Sequence, residues 1–142
     1  MADKIEKLYT AHATATGGRN GNVKSSDEVI DMEVRMPKEL GGKGGAYTNP
    51  EQLFAAGYAA CFDSALNMII GQTKTKTGVT VVTADVSIGK NSHEGFGLEV
   101  KLSVSIPDTD KETAQQLLEK AHQVCPYSNA TRNNVHVELE LV

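Results

Sequence analysis

Two cysteines are the residues of this chain best suited to covalent chemistry. The 142 residues include Cys61 and Cys125 and no other cysteine, so one intramolecular pair can form. In a reducing compartment such a pair is more often reactive, or simply buried, than a structural disulfide. Both interpretations stay open from the spacing alone, because free cysteine is among the most buried residue types.

A reactive thiol requires a positive charge nearby, because the nucleophile is the thiolate and an ordinary thiol is mostly protonated at pH 7. No Lys or Arg lies within one helical turn of Cys61, so the cation must come from elsewhere in the fold. The chain has three arginines. Arg35 falls on the polar side of an alternating segment and is expected to be solvated. Arg132 is expected to serve the segment after Cys125, and Arg19 lies in a glycine-rich turn, where a solvated tip is the simplest expectation.

Other catalytic and binding patterns are weaker. The four histidines are scattered, and His122 close to Cys125 lacks the further ligands of a zinc site. Ser64 beside Asp63 lacks the G-x-S-x-G elbow of a serine hydrolase. The glycine-rich segment 41–45, GGKGG, matches neither nucleotide-binding signature, so we expect no metal and no bound nucleotide.

The composition predicts a folded, acidic chain. Hydrophobic residues make up 39% and charged residues 23%, which is ordinary for globular proteins. A net charge of −4 argues against nucleic acid or an anionic membrane as the main partner. No apolar run approaches the ~20 residues of a membrane span, and the start lacks the apolar core of a signal peptide. We therefore expect one cytoplasmic domain over residues 1–142.

Strands are predicted at both ends of the chain and after its central helix. Residues 30–36 alternate between apolar and polar, which is the period of a half-buried strand. Residues 98–106 alternate in the same way, and the turn at 91–95 predicts that they form a hairpin with the preceding segment. The predicted strands cover residues 7–16, 22–25, 30–36, 79–88, 98–106 and 135–141.

The first predicted helix suggests an oligomer. Asn49 followed by Pro50 favours a helix start, and the helix should run to about Gln72. Apolar residues surround this helix almost completely, so it should be buried on every side. One small domain has few layers with which to cover it. We therefore predict a homodimer whose interface is continuous with the core.

The second predicted helix places one of the cysteines. It covers residues 110–124, with Asp108 or Thr109 as its cap and an apolar stripe toward the core. Pro126 disfavours the helical state for the residue before it, so Cys125 should lie at or just beyond the helix end. Together these elements predict an α+β fold with mainly antiparallel pairing.

Four segments carry a family resemblance. Residues 49–62 read NPEQLFAAGYAACF and residues 124–133 read VCPYSNATRN, and segments 18–21 (GRNG) and 40–45 (LGGKGG) accompany them. These segments, in this order and essentially from end to end, resemble the organic hydroperoxide resistance (Ohr) branch of the OsmC/Ohr superfamily.

The resemblance implies a thiol-dependent peroxidase. Cys61 resembles the peroxidatic cysteine and Cys125 the resolving one, while Arg19 and Glu51 resemble the charged pair that activates Cys61. The implied fold is an intertwined homodimer, with mainly antiparallel sheets wrapped around two helices and two active sites at the subunit interface. The implied substrates are organic and lipid hydroperoxides, and the implied reductant is dihydrolipoamide on a lipoylated protein. No metal, haem or flavin is implied.

Elementary electrostatics allows one arginine to activate the thiol. Lowering the pKa by ~2 units requires about 2.7 kcal/mol. A guanidinium ~4 Å away at an effective dielectric constant of about 20 supplies about 4 kcal/mol before burial costs. Glu51 is an anion and cannot help by touching the sulfur. Its expected role is a bidentate grip on Arg19, and handling the hydroperoxide proton is the alternative.

The spacing of Glu51 and Cys61 raises a geometric question. They are ten residues apart, which is about 15 Å along an unbroken helix and about 80° around its axis. Either the helix breaks near Gly57, or the Arg19–Glu51 pair comes from the other subunit. We favour the second alternative, which agrees with the predicted homodimer.

Apolar residues near Cys61 are candidates to bind an apolar hydroperoxide. For each of them, plain burial in the core is the alternative. The candidates are Phe54, Tyr58, Phe62 and Leu66. A non-enzymatic alternative for the whole protein is a thiol switch that senses peroxide once and passes the signal to a partner.

Overall fold

The computed structural model describes residues 2–142 and divides the chain into two compact units. The first unit ends at Pro50, and the second runs from Glu51 to Val142. The α+β prediction is confirmed, since each unit holds one three-stranded sheet and the helices follow the first sheet. The single domain expected over residues 1–142 stays a prediction.

The first unit is a three-stranded antiparallel sheet in the order β1-β2-β3. One short 3-10 turn joins β1 to β2, and another lies in the glycine-rich loop after β3. The predicted strand over 7–16 is shorter in the structure, because the register with its partner begins at Ala13 and Ser25, and one further bond, from the N–H of Ser26 to the carbonyl of His12, extends beyond it. The strands are β1 (Ala13–Thr16), β2 (Gly21–Ser25) and β3 (Asp31–Val34).

The first unit buries little apolar surface. All four residues of β1 are exposed, and Val34 and Thr48, which pair in an isolated bridge, are its buried residues. Ile30 and Met32 remain substantially exposed. A three-stranded sheet needs a hydrophobic face covered by other structure to be stable. From Ala2 to Pro50, this unit therefore has no hydrophobic core of its own.

The second unit carries three helices and a mixed sheet in the order β4-β5-β6. The predicted hairpin is confirmed as the antiparallel pair β4 and β5, whereas β6 joins β5 in parallel. The short helix α3 was not expected from the sequence. The elements are α1 (Pro50–Thr73), β4 (Val81–Lys90), β5 (Phe96–Ser105), α2 (Lys111–Val124), α3 (Pro126–Thr131) and β6 (His136–Leu141).

Helix α1 runs without interruption through Gly57, which removes the predicted alternative of a break there. Within one chain, its buried residues form a single stripe rather than a full circle. Ala60 and Met68 lie off that stripe, and Met68 is 48% exposed. Burial on every side would therefore require a surface that the single chain does not supply. The buried residues of the stripe are Tyr58, Phe62, Ala65, Leu66 and Ile69.

Among the described residues, one helix, α1, is long and apolar enough to cross a membrane by length and composition alone. This differs from the expectation that no segment is apolar enough, which counted uninterrupted apolar runs rather than mean hydropathy. The core helix of a soluble protein passes the same test. The stripe of α1 in the hydrophobic core accounts for part of this apolar composition.

Helix α2 confirms the predicted stripe, with Ala114, Leu117, Leu118 and Ala121 buried. Its cap differs from the expected residue. Asp110 accepts hydrogen bonds from the backbone N–H and the hydroxyl of Thr113, at 2.9 and 2.8 Å. This geometry is that of an N-cap, and it shifts the helix start to Lys111.

Candidate active site

The fold brings the two cysteines into contact. Cys61 lies in the middle of α1, and Cys125 lies 64 residues later, between α2 and α3. The Cys125 thiol donates to the Cys61 sulfur across 3.7 Å, and both are free thiols. A disulfide requires a sulfur–sulfur distance of about 2.05 Å. A short displacement of the two side chains would therefore bring the sulfurs to the distance of a disulfide bond.

The two thiols differ in their access to solvent. Cys61 is half-buried, whereas Cys125 is fully buried at 0% exposure. A reagent that arrives from solvent therefore meets Cys61 first. This asymmetry fits an attacking role for Cys61 and a secondary role for Cys125.

Burial raises the pKa of the Cys61 thiol above its ordinary value. The backbone N–H of Tyr127 hydrogen-bonds the sulfur and lowers the pKa, while the neighbouring Cys125 raises it further. The net direction is upward, opposite to the lowered pKa that the resemblance implies for this thiol. Ionising Cys61 therefore requires a cation beyond the interactions that shift it in the single chain.

The backbone of Cys125 is held by both flanking helices. Its N–H donates to the carbonyl of Ala121 at 2.9 Å, and its carbonyl accepts from the N–H of Asn129 at 2.9 Å. Its φ and ψ of −62° and 122° are extended, as expected for a residue before proline. The prediction that Cys125 lies just beyond the helix end is confirmed.

Three aromatic rings pack beside the cysteine pair. The ring centroids of Phe54, Tyr58 and Tyr127 lie 5.7 to 6.3 Å apart. A Cβ atom at Gly57 would lie 3.0 Å from the Tyr127 hydroxyl, so glycine allows that ring to rest against α1. Tyr127 is 40% exposed. Tyr127 was not among the residues predicted to line the site, although its position two residues after Cys125 was a signal.

The structure separates the four predicted substrate-binding residues into two groups. Tyr58, Phe62 and Leu66 are completely buried in the hydrophobic core, which favours the alternative of plain core for these three. Phe54 is half-buried and packs at the edge of that core. An apolar molecule arriving from solvent would therefore meet Phe54 and Tyr127 before the other three.

The predicted charged pair lies on two different elements. Arg19 is half-buried in the 3-10 turn of the first unit, where Gly17 and Gly18 adopt positive φ values of 76° and 58°. Glu51 is half-buried in the first turn of α1, where a carboxylate is favoured by the helix dipole. Because α1 is unbroken, Glu51 lies about 15 Å along the axis from Cys61 of the same chain.

The other two arginines have structural roles. Arg35 was expected to be solvated, but it is half-buried. Its guanidinium donates to the carbonyls of Gly21 and Val34 and lies 5.2 Å from the ring centroid of Tyr47. The expectation was wrong because backbone carbonyls accept the hydrogen bonds that the guanidinium would otherwise donate to water.

Arg132 serves the segment after Cys125, as expected. It donates to the carbonyl of His122 and to the side chain of Asn129, both at 2.6 Å.

Within residues 2–142, no group of three or more His, Cys, Asp or Glu side chains could hold a metal ion.

Comparisons with known proteins give the family. The model of the OsmC-like proteins matches residues 42–140, a range that includes Glu51, Cys61 and Cys125. The chain is 54% identical over 142 residues to the organic hydroperoxide resistance protein of Xanthomonas axonopodis pv. citri (strain 306), covering 99% of each protein.

Solved structures agree with this match. An organic hydroperoxide resistance protein from Elizabethkingia anophelis, crystallised with thiocyanate, is 61% identical with a TM-score of 0.93, over 96% of this chain and 98% of that one. A Vibrio cholerae structure, with captopril bound in one of its active sites, is 45% identical with a TM-score of 0.92, over 98% and 95%. This chain therefore belongs to the organic hydroperoxide resistance proteins of the OsmC-like family.

Proposed function

We propose that the protein is a thiol-dependent peroxidase that reduces organic hydroperoxides to alcohols. The observation that carries the proposal is the cysteine pair, with sulfurs 3.7 Å apart, one half-buried and the other fully buried. Relatives named for organic hydroperoxide resistance support the choice of substrate class.

The first step oxidises Cys61. Its thiolate attacks one oxygen of the hydroperoxide, the O–O bond breaks, and the alkoxide leaves and takes up a proton to become an alcohol. The sulfur gives two electrons to the peroxide and becomes a sulfenic acid. Because Cys61 is the more accessible thiol, it is the one that meets the substrate.

The second step forms the disulfide. The Cys125 sulfur, as thiolate, attacks the sulfenic sulfur, and the hydroxyl leaves with a proton as water. Pro126 and the two flanking helices keep Cys125 close to its target. A dithiol then reopens the disulfide by exchange and is itself oxidised to a cyclic disulfide. We propose that dihydrolipoyl groups on a lipoylated protein serve as this dithiol, and that no bound cofactor takes part.

Arg19 and Glu51 form the proposed activating pair. Burial raises the pKa of Cys61, so a cation must offset this shift before the thiolate forms at neutral pH. Arg19 supplies the cation in the proposal, and Glu51 orients it. The unbroken α1 separates Glu51 from Cys61 of the same chain, which favours a pair contributed by a second subunit.

The proposed assembly is therefore a homodimer with two active sites. Some apolar residues of α1 lie outside its buried stripe, and the first unit buries little apolar surface. A second subunit would cover these surfaces. The Vibrio cholerae structure has captopril bound in one of its active sites, so it has more than one such site. Two copies of this chain would provide two cysteine pairs.

The substrate class follows from the surroundings of Cys61. The backbone N–H of Tyr127 bonds the Cys61 sulfur, and the ring of Phe54 packs against the ring of Tyr127, while Tyr58, Phe62 and Leu66 lie in the core. Such a lining favours alkyl and lipid hydroperoxides over hydrogen peroxide. We place the protein in the cytoplasm, where reducing conditions keep both thiols available.

The decisive experiment follows hydroperoxide loss with dihydrolipoamide and, separately, with glutathione as the reductant. We expect steady turnover with dihydrolipoamide and little with glutathione. Cys61→Ser should abolish turnover, whereas Cys125→Ser should consume one equivalent and then stall. Ser64→Ala, one turn from Cys61 on α1 and exposed, is the matched control.

The same assay tests the alternative of a peroxide-sensing thiol switch. A sensor would be oxidised once and stop, even when excess dihydrolipoamide is present. Absence of multiple turnovers in the unmodified protein would therefore contradict the peroxidase proposal.

A further inference from the structure

A largely buried polar network connects the helices next to the two cysteines. The Tyr58 hydroxyl is 2.8 Å from the hydroxyl of Ser128, which is 2.8 Å from Nδ1 of His122. The Tyr58 hydroxyl also lies 3.2 Å from the hydroxyl of Thr131. Tyr58, Ser128 and Thr131 are buried, and His122 is half-buried. We call these four residues the polar brace.

The brace joins the three helices that carry the two sulfurs. Tyr58 precedes Cys61 by three residues on α1 and therefore lies on a neighbouring position of the same helix. His122 precedes Cys125 by three residues on α2, and Ser128 follows it by three residues on α3. A shift of any one helix against the others would change the distance between the sulfurs.

The hydrogen bonds of the brace form a satisfied chain. Thr131 donates to the backbone carbonyl of Tyr127 at 2.9 Å, so its oxygen can accept from Tyr58. Tyr58 can then accept from Ser128, and Ser128 from Nδ1–H of His122. Every buried side-chain nitrogen or oxygen of the described residues has a partner. This direction places a proton on Nδ1 of His122, whereas the reverse one, in which Tyr58 donates to Ser128 and Ser128 to Nδ1, leaves Nδ1 unprotonated.

The hydroxyl of Tyr58 is not needed to fill the space that its ring occupies in the core. Phenylalanine at position 58 would occupy nearly the volume of tyrosine, and it would require no hydrogen-bond partners in the core. Satisfied polar networks in an interior specify one arrangement of the elements, because each partner has a preferred direction and distance. The brace therefore defines how α1 packs against α2 and α3, close to the reacting atoms.

We propose that the polar brace positions Cys125 for the resolution step. It acts through the helices and does not touch the substrate, so its members are positioning residues. The inference rests on the proposed peroxidase cycle, in which the Cys61 sulfenic acid has two fates. Attack by Cys125 gives the disulfide and water, whereas a second hydroperoxide oxidises the sulfenic acid to a sulfinic acid and leaves as alcohol. The brace favours the first fate.

The test compares three brace variants with a control. Tyr58→Phe and Ser128→Ala each remove one hydroxyl of the chain, and His122→Gln changes its half-buried end without altering the core. Ser128→Thr keeps a hydroxyl and should restore the behaviour of the unmodified protein. Ser64→Ala removes an exposed hydroxyl that bonds only within α1. It should change nothing.

The first measurement is the fate of Cys61 after exposure to tert-butyl hydroperoxide, read by intact mass. We expect the ratio of sulfinic acid to disulfide to rise roughly tenfold in the brace variants, as for the loss of one buried hydrogen bond. The rate of the first oxidation should stay within about twofold in Ser128→Ala and His122→Gln. A brace that only stabilises the fold would lower the unfolding midpoint and leave this ratio unchanged, which would overturn the inference.

A second measurement needs no peroxide. The protein is equilibrated with mixtures of reduced and oxidised dithiothreitol, and the fraction of Cys61–Cys125 disulfide is counted. The brace variants should form the disulfide about tenfold less readily, because the effective concentration of one thiol near the other falls. Equal disulfide fractions in all variants would overturn the inference. If the brace variants form less disulfide but the unmodified protein does not turn over peroxide, the proposed function is contradicted and the role of the brace is not.

Discussion

The two units of the chain differ in how much of their structure they can support alone. The second unit buries a continuous core that joins α1, α2 and the sheet β4-β5-β6. The first unit buries Val34 and little else that is apolar. The thiol pair belongs to the unit with the core, whereas Arg19 belongs to the unit without one. The contact between the two thiols is therefore built within the second unit, whereas the activating cation that we propose lies in the first.

The largest expected effect tests this difference in stability directly. Leu118→Ala removes a fully buried side chain from the core of the second unit and should cost about 2–5 kcal/mol of unfolding free energy. Met32→Ala, on the exposed face of β3, should cost less and should show mainly as weaker dimerisation. Urea unfolding and sedimentation equilibrium measure the two quantities. Equal losses of unfolding free energy would contradict the comparison.

The next effect concerns the cation in the first unit. Arg19→Ala should raise the pKa of Cys61 by ~2 units, from about 6.5 to the ordinary value of about 8.5, which lowers the thiolate fraction at pH 7 roughly 25-fold. The pH profile of iodoacetamide alkylation measures this shift. Lys24→Ala, which removes a half-buried cation of the same unit that pairs with Glu28, is the control. An unchanged profile in Arg19→Ala would reject the activating role of the arginine.

A pair of glycines on α1 tests the close packing near the thiols. A Cβ atom at Gly71 meets nothing within 4 Å, so Gly71→Ala should stabilise the helix by about 1 kcal/mol. At Gly57 the same change meets the hydroxyl of Tyr127 at 3.0 Å and the nearest atom of its ring at 3.2 Å. Gly57→Ala should be less stable than Gly71→Ala by about 1–3 kcal/mol. Thermal unfolding compares them, and equal midpoints would show that the ring moves away freely.

The smallest expected effect is a pH dependence at the start of α2. Hydrogen bonds from the backbone N–H and then the hydroxyl of Thr113 lower the pKa of Asp110 below 3.8. A carboxyl with a lowered pKa stabilises the fold above its unfolded pKa, and this contribution is lost as the pH falls through the folded value. Unfolding measured between pH 5 and pH 2 should therefore show a weaker pH dependence in Asp110→Asn. Asp3→Asn serves as an exposed control.

Local features near the active site were predictable because they depend on a few neighbouring residues. Pro126 ends α2 at Cys125 through its effect on the residue before it, and Pro50 begins α1. The alternation in residues 98–106 predicted β5, since side chains on a strand point to opposite faces. The family resemblance then identified the cysteines as a pair.

Features that depend on packing were predicted less well. The three residues of α3 nearest Cys125 include Tyr127 and Ser128, and neither was singled out from the sequence. Tyr58 was expected to line a substrate site, yet it is fully buried and bonded to Ser128, 70 residues away. Hydrophobic pattern marks such residues as apolar or amphipathic, but it does not reveal which of them face solvent.

By itself, the sequence determined the residue types, the ends of the main helices, the alternating strands and the membership of the family. These depend on backbone geometry and side-chain order over short distances. Tertiary structure alone decided that the sulfurs of Cys61 and Cys125 lie 3.7 Å apart, and that the pKa of Cys61 shifts upward in the single chain. The physical reason is that proximity across 64 residues and the loss of water around a thiol both arise when helices pack together.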